Sequence, residues 1–316
     1  QVMPWQELAE RLQKEETSVL CVVNTRRHAR LLAEMLPDAL HFSSSMCAHH
    51  RTAVIEEAKR RLAAGRCLMI STQAIEAGVD ISFPVVWRAV APMEAVIQAA
   101  GRCNRHMELA EQGKFGSVYL FHPPETDGPI TPLEQFYREG TMRLKDLVAL
   151  KPDTDLEQHS VFQVWSAEDL EVAHERGRLD KLCLMTDIRY ERFAQIAEKY
   201  RLIEEGSPVV VHYQTPSGET PEPCLEKIRK RGQALQEYYR FLQRFTVSLR
   251  HANLQQLRTA GLLDETNFPG LTVLHRDAYH DRFGVILPEA LSPYIVSDPR
   301  AVDWDFGDRG WDLCKE

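Results

Sequence analysis

Features that would indicate a secreted or membrane protein are missing from this 316-residue chain. No apolar run approaches the roughly 18 residues that a membrane span needs, so we expect no membrane partner. Residues 1–5 lack the cationic and then apolar pattern of a secretory signal. Seven cysteines, at positions 21, 47, 67, 103, 183, 224 and 314, include no C-x-x-C pair, which argues against a disulfide framework or a zinc site. We therefore expect a cytoplasmic protein without a bound metal in this chain.

Acidic residues are scarce in one stretch, although the net charge of the chain is −8. Between Leu225 and Arg258, eight basic and two acidic residues leave a local charge of +6. Tyr238, Phe241 and Phe245 lie in the same stretch. Aromatic rings among basic residues suit binding of single-stranded nucleic acid, but their helical spacing is more often that of a buried face. Arg240 and Arg244 are the candidate phosphate contacts.

Short apolar runs alternate with helical patterns over residues 1–122. Strands are predicted near 19–24, 39–42, 68–71, 85–91 and 116–122, and helices over 25–36, 48–64 and 93–100. This alternation predicts an α/β fold in which a parallel sheet is covered on both faces. Such sheets bind ligands at the carboxyl ends of their strands.

The remainder of the chain follows a proline-rich break. Residues 123–204 are predicted to form a helical linker region with a long helix over 134–150. Residues 205–316 are predicted to form a small mixed α/β domain, with a basic helix over 225–241 and strands near 209–213, 245–249, 272–274 and 284–287. The tail from Asp298 is acidic.

Two sequence blocks contain the candidate chemistry. Residues 98–105 read Q-A-A-G-R-C-N-R, and the planar fork of an arginine matches phosphate oxygens. Arg102 and Arg105 are predicted to project from one side of a helical turn as arginine fingers, with Arg105 the better γ-phosphate contact. Gln98 would orient the attacking water or hold a phosphate, and Gly101 would let the backbone come close. The alternative is a surface helix with solvated arginines.

The second block, residues 71–81, reads S-T-Q-A-I-E-A-G-V-D-I. Gly78 would allow a tight turn, and the carboxylate of Asp80 would reach a ribose hydroxyl or a phosphate-bound water. A plain turn or cap residue is the alternative for Asp80. Thr72 follows a predicted strand, where its hydroxyl and backbone N–H would hold a nucleic-acid phosphate.

The two blocks together resemble motifs V and VI of superfamily 2 helicases. Their wording, E-A-G-V-D and G-R-C-N-R, looks most like that of the type I CRISPR-associated helicase–nucleases, and residues 241–247 resemble a stretch of that family's C-terminal domain. The resemblance implies a second RecA-like domain over 1–122, a linker helix and a C-terminal accessory domain. It also implies that Thr25 contacts the strand backbone, although a plain helix cap is an equal alternative, and that Arg51 lies in a further DNA-contacting segment.

The resemblance further implies an enzyme of antiviral defence that is recruited by a crRNA-guided surveillance complex, translocates on single-stranded DNA with ATP, and cuts that strand. No G-x-x-x-x-G-K-[ST] phosphate loop and no magnesium-binding D-E-x-[DH] run occur in the sequence. ATP and Mg²⁺ would therefore be bound mainly by a first RecA-like domain, and a divalent transition metal by an HD nuclease domain, both outside this chain and both partners of it. His280-Asp281 has no neighbouring ligands that would make it part of such a site.

We therefore expect a chain that does not hydrolyse ATP alone. Two other functions remain open at this point. One is a non-catalytic RecA-like module that binds a partner, and the other is a different superfamily 2 motor acting on DNA or RNA.

Overall fold

The computed structural model of this chain describes residues 2–76, 78–110, 113–124, 189–195, 206–231, 236–266 and 271–288. The chain divides into two compact units: the first comprises 1–90, 94–127 and 206–316, and the second 91–93 and 128–205. In the second unit, the guanidinium of Arg192 lies 5.2 Å from the centroid of the Tyr190 ring. Within the described ranges, no helix is long and apolar enough to cross a membrane. The predicted linker helix and the acidic tail lie outside these ranges.

A five-stranded parallel sheet organises the first 124 residues. Its strands lie in the order β2-β3-β1-β4-β5. They are β1 (Val19–Val22), β2 (Leu40–Phe42), β3 (Leu68–Ser71), β4 (Val85–Ala89) and β5 (Ser117–Phe121). The register places Val22 level with both Ser71 and Arg88, so the three central strands end at the same edge. The predicted parallel sheet is confirmed.

Four helices cover this sheet: α1 (Trp5–Lys14), α2 (Arg26–Met35), α3 (Ala48–Ala63) and α4 (Met93–Ala100). Val19 and Cys21 share a buried core with residues of α1 and α2, whereas Leu20 and Val22 share another with residues of α3 and α4. Because alternate residues of a strand face opposite sides, an entirely apolar strand needs cover on both faces. Helix α1 was not among the predicted elements.

A four-stranded mixed sheet, in the order β7-β6-β9-β8, organises residues 206–288. Its strands are β6 (Gly206–Val210), β7 (Thr246–Arg250), β8 (Leu263–Glu265) and β9 (Thr272–Leu274). The helices are α5 (Glu222–Arg231), α6 (Gln236–Leu242) and α7 (His251–Thr259), and the hairpin is β10 (Tyr279–His280) with β11 (Gly284–Val285). The mixed α/β prediction is confirmed. Helices α5 and α6 stand in place of the single basic helix, and α7 and β8 were not predicted.

The β10–β11 hairpin packs against the domain that contains the five-stranded parallel sheet. Phe283 is buried in the core formed with α1 and α2. One terminal nitrogen of Arg282 donates to the carbonyl oxygens of Ala33, Leu36 and Ala39, at 2.7, 2.8 and 2.9 Å, and so satisfies carbonyls at the end of α2. Gly284 has a φ of +77°, and a Cβ there would lie 2.3 Å from the carbonyl oxygen of Ser45. Only glycine fits at this contact.

A second group of contacts lies at the start of α3. The hydroxyl of Tyr279 accepts a hydrogen bond from the Cys47 N–H at 3.1 Å and lies 2.9 Å from Nδ1 of His50. The His50 ring stacks on Tyr213, with centroids 4.6 Å apart. Burial lowers the pKa of His50 to about 4, and that of the nearby His41 to about 3. Both imidazoles are therefore neutral at pH 7.

Candidate nucleotide and nucleic-acid site

The loops that follow β1 and β3 meet at the carboxyl edge of the parallel sheet. Thr25 is the N-cap of α2, and its Oγ1 accepts a hydrogen bond from the His28 N–H at 3.1 Å. The predicted cap is confirmed, and contact with a nucleic-acid strand stays a prediction. The hydroxyl hydrogen of Thr25 is not used in this cap, so the same side chain retains a donor for a phosphate oxygen.

Thr72 occupies the corresponding place after β3 but is nearly fully buried, with 3% of its surface exposed. Its Oγ1 lies 3.4 Å from the Ala74 N–H, and its own N–H donates to the Phe42 carbonyl at 3.1 Å. The backbone donor that we expected to hold a phosphate is therefore already used within the sheet. A contact through the hydroxyl of Thr72 stays a prediction.

A buried polar network lies directly beneath these two loops. Arg88 of β4 has no exposed side-chain surface, and one of its terminal nitrogens donates to Oδ1 of Asn24 at 2.6 Å. Its other terminal nitrogen lies 3.2 Å from Oε1 of Glu76, which is 5% exposed. The side-chain amide of Gln73 donates to the Asn24 carbonyl at 2.9 Å. The two loops are thus joined to each other and to β4.

Burial raises the pKa of the Glu76 carboxyl to about 7, and the Arg88 and Arg102 guanidiniums oppose that rise. Arg88 and Glu76 were not among the predicted site residues. A signal for Arg88 exists in the sequence, because it interrupts the apolar run of β4 at a position where a charge is costly unless it is paired.

Arg102 lies against the turn that contains Glu76. Its Nε donates to the Ile75 carbonyl at 3.1 Å and its Nη2 donates to the Glu76 carbonyl, and the residue is 6% exposed. Burial lowers the pKa of Arg102 from its ordinary value, and the charge of Arg105 lowers it further. Arg102 nevertheless keeps its proton at neutral pH, because arginine is not deprotonated in proteins. In this arrangement Arg102 connects the 98–105 block to the 71–81 block.

Arg105 is placed differently from Arg102. Helix α4 ends at Ala100, so the two arginines do not share a turn of that helix, and their projection from one side stays a prediction. The Arg105 side chain is 40% exposed, and its Nε lies 3.1 Å from Oδ1 of Asp80, which is 68% exposed. His106 Nε2 lies 3.3 Å from the same oxygen. Arg105 and Asp80 thus form an exposed charged group at the rim of the sheet edge.

The remaining predicted nucleotide contacts lie around this rim. Gln98 is exposed on α4, and Gly78 is exposed with a φ of +70°, as the expected tight turn requires. A Cβ on Gly101 would meet the Gln98 and Ile97 carbonyls at 3.4 and 3.5 Å, which are ordinary contacts. Packing within the chain therefore does not require glycine at position 101, and close approach of a ligand there stays a prediction.

The basic residues predicted to contact nucleic acid lie on α3 and on the C-terminal module, residues 206–288. Arg240 and Arg244 are exposed, whereas Tyr238 and Phe245 are buried. The preference for a buried aromatic face is confirmed, and the charges point outward. The Phe245 ring lies 4.7 Å from that of His49, which brings the segment containing Arg244 against α3, the helix of the half-buried Arg51.

Across the part of the chain that the structure describes, no three His, Cys, Asp or Glu residues are grouped so as to hold a metal ion. At the end of β10, Nδ1 of His280 accepts a hydrogen bond from the Arg282 N–H at 3.0 Å. His280 thus shapes the hairpin that holds Arg282 and Phe283.

Comparisons with known proteins point to one family. Residues 2–108 match the family described as CRISPR-associated nuclease/helicase Cas3, C-terminal. A CRISPR-associated nuclease/helicase Cas3 from Haloferax volcanii is 46% identical over 65 residues, which are 21% of this chain and 7% of that protein.

Solved structures extend the likeness of fold. T. fusca Cas3 with ATP superposes with a TM-score of 0.60 and 16% identity over 91% of this chain and 41% of its own. A chain from a structure of a CRISPR RNA-guided surveillance complex, pre-nicking, superposes with a TM-score of 0.51 and 18% identity. The match covers 88% of this chain and 40% of that chain. This chain therefore spans less than half the length of these relatives. Residues 2–108 of this chain are therefore similar to the C-terminal region of the Cas3 nuclease/helicases, and the chain shares the fold of the solved Cas3 structures.

Proposed function

We propose that this chain is the C-terminal half of an ATP-dependent single-stranded DNA translocase and nuclease that degrades target DNA in type I CRISPR interference in the cytoplasm. It provides a second RecA-like domain over residues 1–122, a linker over 123–204 and a C-terminal accessory domain over 205–316. The phosphate loop, the Mg²⁺ ligands and the HD nuclease with its transition metal belong to the N-terminal half. A crRNA-guided surveillance complex delivers the DNA.

The observation that carries this proposal is the family match over residues 2–108, because it contains both motif blocks. Those blocks meet at the carboxyl edge of a parallel sheet, where folds of this class bind ligands. ATP supplies the phosphoanhydride bond whose hydrolysis drives movement along the strand. The residues of this chain complete the site from the side opposite the phosphate loop.

Arg105 is the residue that we assign to the γ-phosphate. Its guanidinium is exposed, and its carboxylate partner Asp80 is exposed too. An ion pair in water contributes at most about 1 kcal/mol, so a polyphosphate can replace Asp80 at low cost. Asp80 would then be free for a ribose hydroxyl or a phosphate-bound water, with Gln98 beside the attacking water. Arg102 supports the loop through its carbonyl contacts.

The proposed strand contacts lie on two surfaces. Thr25 and Thr72 lie in the loops at the sheet edge, and their hydroxyls would bind successive phosphates. Arg51, Arg240 and Arg244 lie where α3 meets the C-terminal module and would attract the strand by charge.

The test is ATP hydrolysis by this chain alone and by the chain joined to its N-terminal half, with and without single-stranded DNA. We expect activity only in the joined protein and stimulation by DNA. Arg105→Ala should lower kcat by on the order of 10³-fold, the smaller end of what an arginine finger contributes. Arg60→Ala is the matched control, since Arg60 is an exposed arginine that pairs with Glu57 on α3.

Thermal unfolding separates the two arginines. Arg105→Ala should leave the Tm of the chain unchanged, whereas Arg102→Ala should lower it because two backbone carbonyls lose their donor. A folded Arg105→Ala enzyme with kcat within about threefold of wild type would contradict the assignment.

The burial of Arg102 favours a second candidate, a non-catalytic RecA-like module that binds a partner. An arginine already engaged with two carbonyls serves the loop without any nucleotide. Under that function, the joined protein would fold and bind the surveillance complex but hydrolyse no ATP. A third candidate, another superfamily 2 motor, would be indicated by stimulation with RNA equal to that with DNA.

A further inference from the structure

The arginine at position 88 lies on β4, close to the carboxyl edge of the parallel sheet. Arg88 is charged but fully buried, and its neighbours Val86 and Trp87 in β4 are buried and apolar. Taking a guanidinium out of water costs several kcal/mol. A buried arginine–carboxylate pair often stabilises a fold no more than two apolar side chains of equal size would. Stability alone is therefore a weak reason for an ion pair at this place.

Arg88 has a hydrogen-bond partner in one loop and an ion-pair partner in another. It holds Asn24 at 2.6 Å, and Asn24 directly precedes Thr25. It holds Glu76 at 3.2 Å, four residues after Thr72. Asn24 makes a further contact to β4, since its amide donates to the Val90 carbonyl at 2.9 Å. Arg88 thus contacts both threonine loops from one strand, beside the direct contact of Gln73 with Asn24.

The same turn is held from the other side by the 98–105 block. Arg102 donates to the carbonyls of Ile75 and Glu76, and Arg105 follows three residues later with its Nη1 3.3 Å from the Gly101 carbonyl. Glu76 is therefore bound twice: its carboxylate by Arg88 and its carbonyl by Arg102. The Thr72 loop and the loop that contains Arg105 are thus connected through Glu76.

We propose that Arg88 is a positioning residue that couples the strand-binding loops to the arginine loop, so that binding of single-stranded DNA adjusts the placement of Arg105. This coupling rests on the function proposed above. Arg88 contacts neither nucleotide nor DNA in this arrangement. It acts through Asn24 on Thr25 and through Glu76 on Arg102.

The first measurement is amide hydrogen exchange of this chain. In the double variant Arg88→Met/Glu76→Met, both charges are replaced by apolar side chains of similar length, so no buried charge is left unpaired. We expect a Tm close to that of wild type and exchange about tenfold faster in both 24–28 and 72–76. Arg61→Met is the matched control, because Arg61 also pairs with a glutamate, Glu57, but far from the sheet edge. It should leave both loops unchanged.

The second measurement is the ratio of ATPase kcat with and without single-stranded DNA, made on the joined protein. We expect this ratio to fall about tenfold in the double variant, with the KM for ATP in the absence of DNA unchanged. A purely structural defect would lower both rates together. Arg88→Lys keeps the charge beside Glu76 but lacks the fork that also reaches Asn24, so it should lose most of the stimulation as well.

Two results would overturn the coupling. One is a folded double variant whose loops exchange as slowly as those of wild type. The other is a folded Arg88→Lys or double variant whose stimulation stays within about twofold of wild type. A wild-type joined protein without DNA-stimulated hydrolysis would instead refute the proposed function, and the coupling with it. That result is distinguishable because it is seen before any substitution is made.

Discussion

Two arginine–carboxylate pairs at the sheet edge have nearly the same separation but different surroundings. Arg88 and Glu76 are 3.2 Å apart with 0% and 5% of their side chains exposed, whereas Arg105 and Asp80 are 3.1 Å apart with 40% and 68% exposed. A pair in water exchanges partners at little cost, whereas loss of one member of a buried pair leaves the other member out of water without its partner. The inner pair is suited to fix geometry, and the outer pair to bind and release a ligand.

The largest effect should come from breaking the inner pair. Arg88→Met alone leaves Glu76 buried without its cation, and should lower the free energy of unfolding by about 3–5 kcal/mol. Urea denaturation measures this change. Adding Glu76→Met should restore most of the loss, because the uncompensated carboxylate is then gone. A single variant that loses less than about 1 kcal/mol would show that the inner pair is not distinct from the outer one.

Acidification should lower the free energy of unfolding by a somewhat smaller amount. This change tests whether burial, without an ion-pair partner, controls the protonation of a side chain. His50 has a pKa lowered to about 4, by burial first and by His280 to a lesser extent, against an opposing contribution from Asp281. The unfolded chain therefore binds more protons between pH 6.5 and 4, and stability present above pH 6.5 is lost as the pH falls through this window. The loss from His50 should be on the order of 3 kcal/mol.

The measurement is the free energy of unfolding from pH 7 to pH 4.5 for wild type and for His50→Asn, which keeps a group able to reach the Tyr279 hydroxyl. The variant should show a flatter pH dependence. Equal slopes in the two proteins would mean that His50 is not held neutral by the fold.

The next largest loss of stability should come from replacing Arg282, whose partners are backbone carbonyls and not a carboxylate. Arg282→Met removes the donor that serves three carbonyls at the end of α2 and should cost about 2 kcal/mol. Arg276→Met is the control, because Arg276 is 67% exposed and pairs with Glu222 at 2.9 Å. That control should change stability by no more than about 0.5 kcal/mol. Comparable losses in the two variants would remove the distinction between buried and exposed partners.

The smallest effect should come from the outer pair. Asp80→Asn should shift the free energy of unfolding by less than about 1 kcal/mol, and the shift should shrink further as salt is raised. Thermal unfolding at low and high salt provides the measurement. A salt-independent loss of several kcal/mol would show that Asp80 is structural and not available to a nucleotide.

Much of the parallel sheet could be predicted from the sequence because its strands are short apolar runs bounded by polar loops. The predicted strand over 68–71 and helix over 93–100 agree with β3 and α4 at both ends. The C-terminal module was harder, because α7 and β8 are short and are stabilised by tertiary packing. The different burial of Arg102 and Arg105 could not be predicted from the sequence. Their three-residue spacing suits one helix face, and only the end of α4 at Ala100 sends them to different environments.

The hairpin contact at the end of α2 has a consequence for how the protein is made. Arg282 and its acceptors are separated by 243 to 249 residues along the chain. During synthesis, the amino-terminal sheet emerges long before the residue that completes one of its helices. Nascent chains in which Arg282 has not yet emerged would therefore lack its guanidinium contacts at the end of α2 and leave the place of Phe283 in the core unfilled. Contacts between such distant segments form slowly and expose apolar surface in the meantime, so truncation before residue 282 should leave the first 124 residues dependent on chaperones.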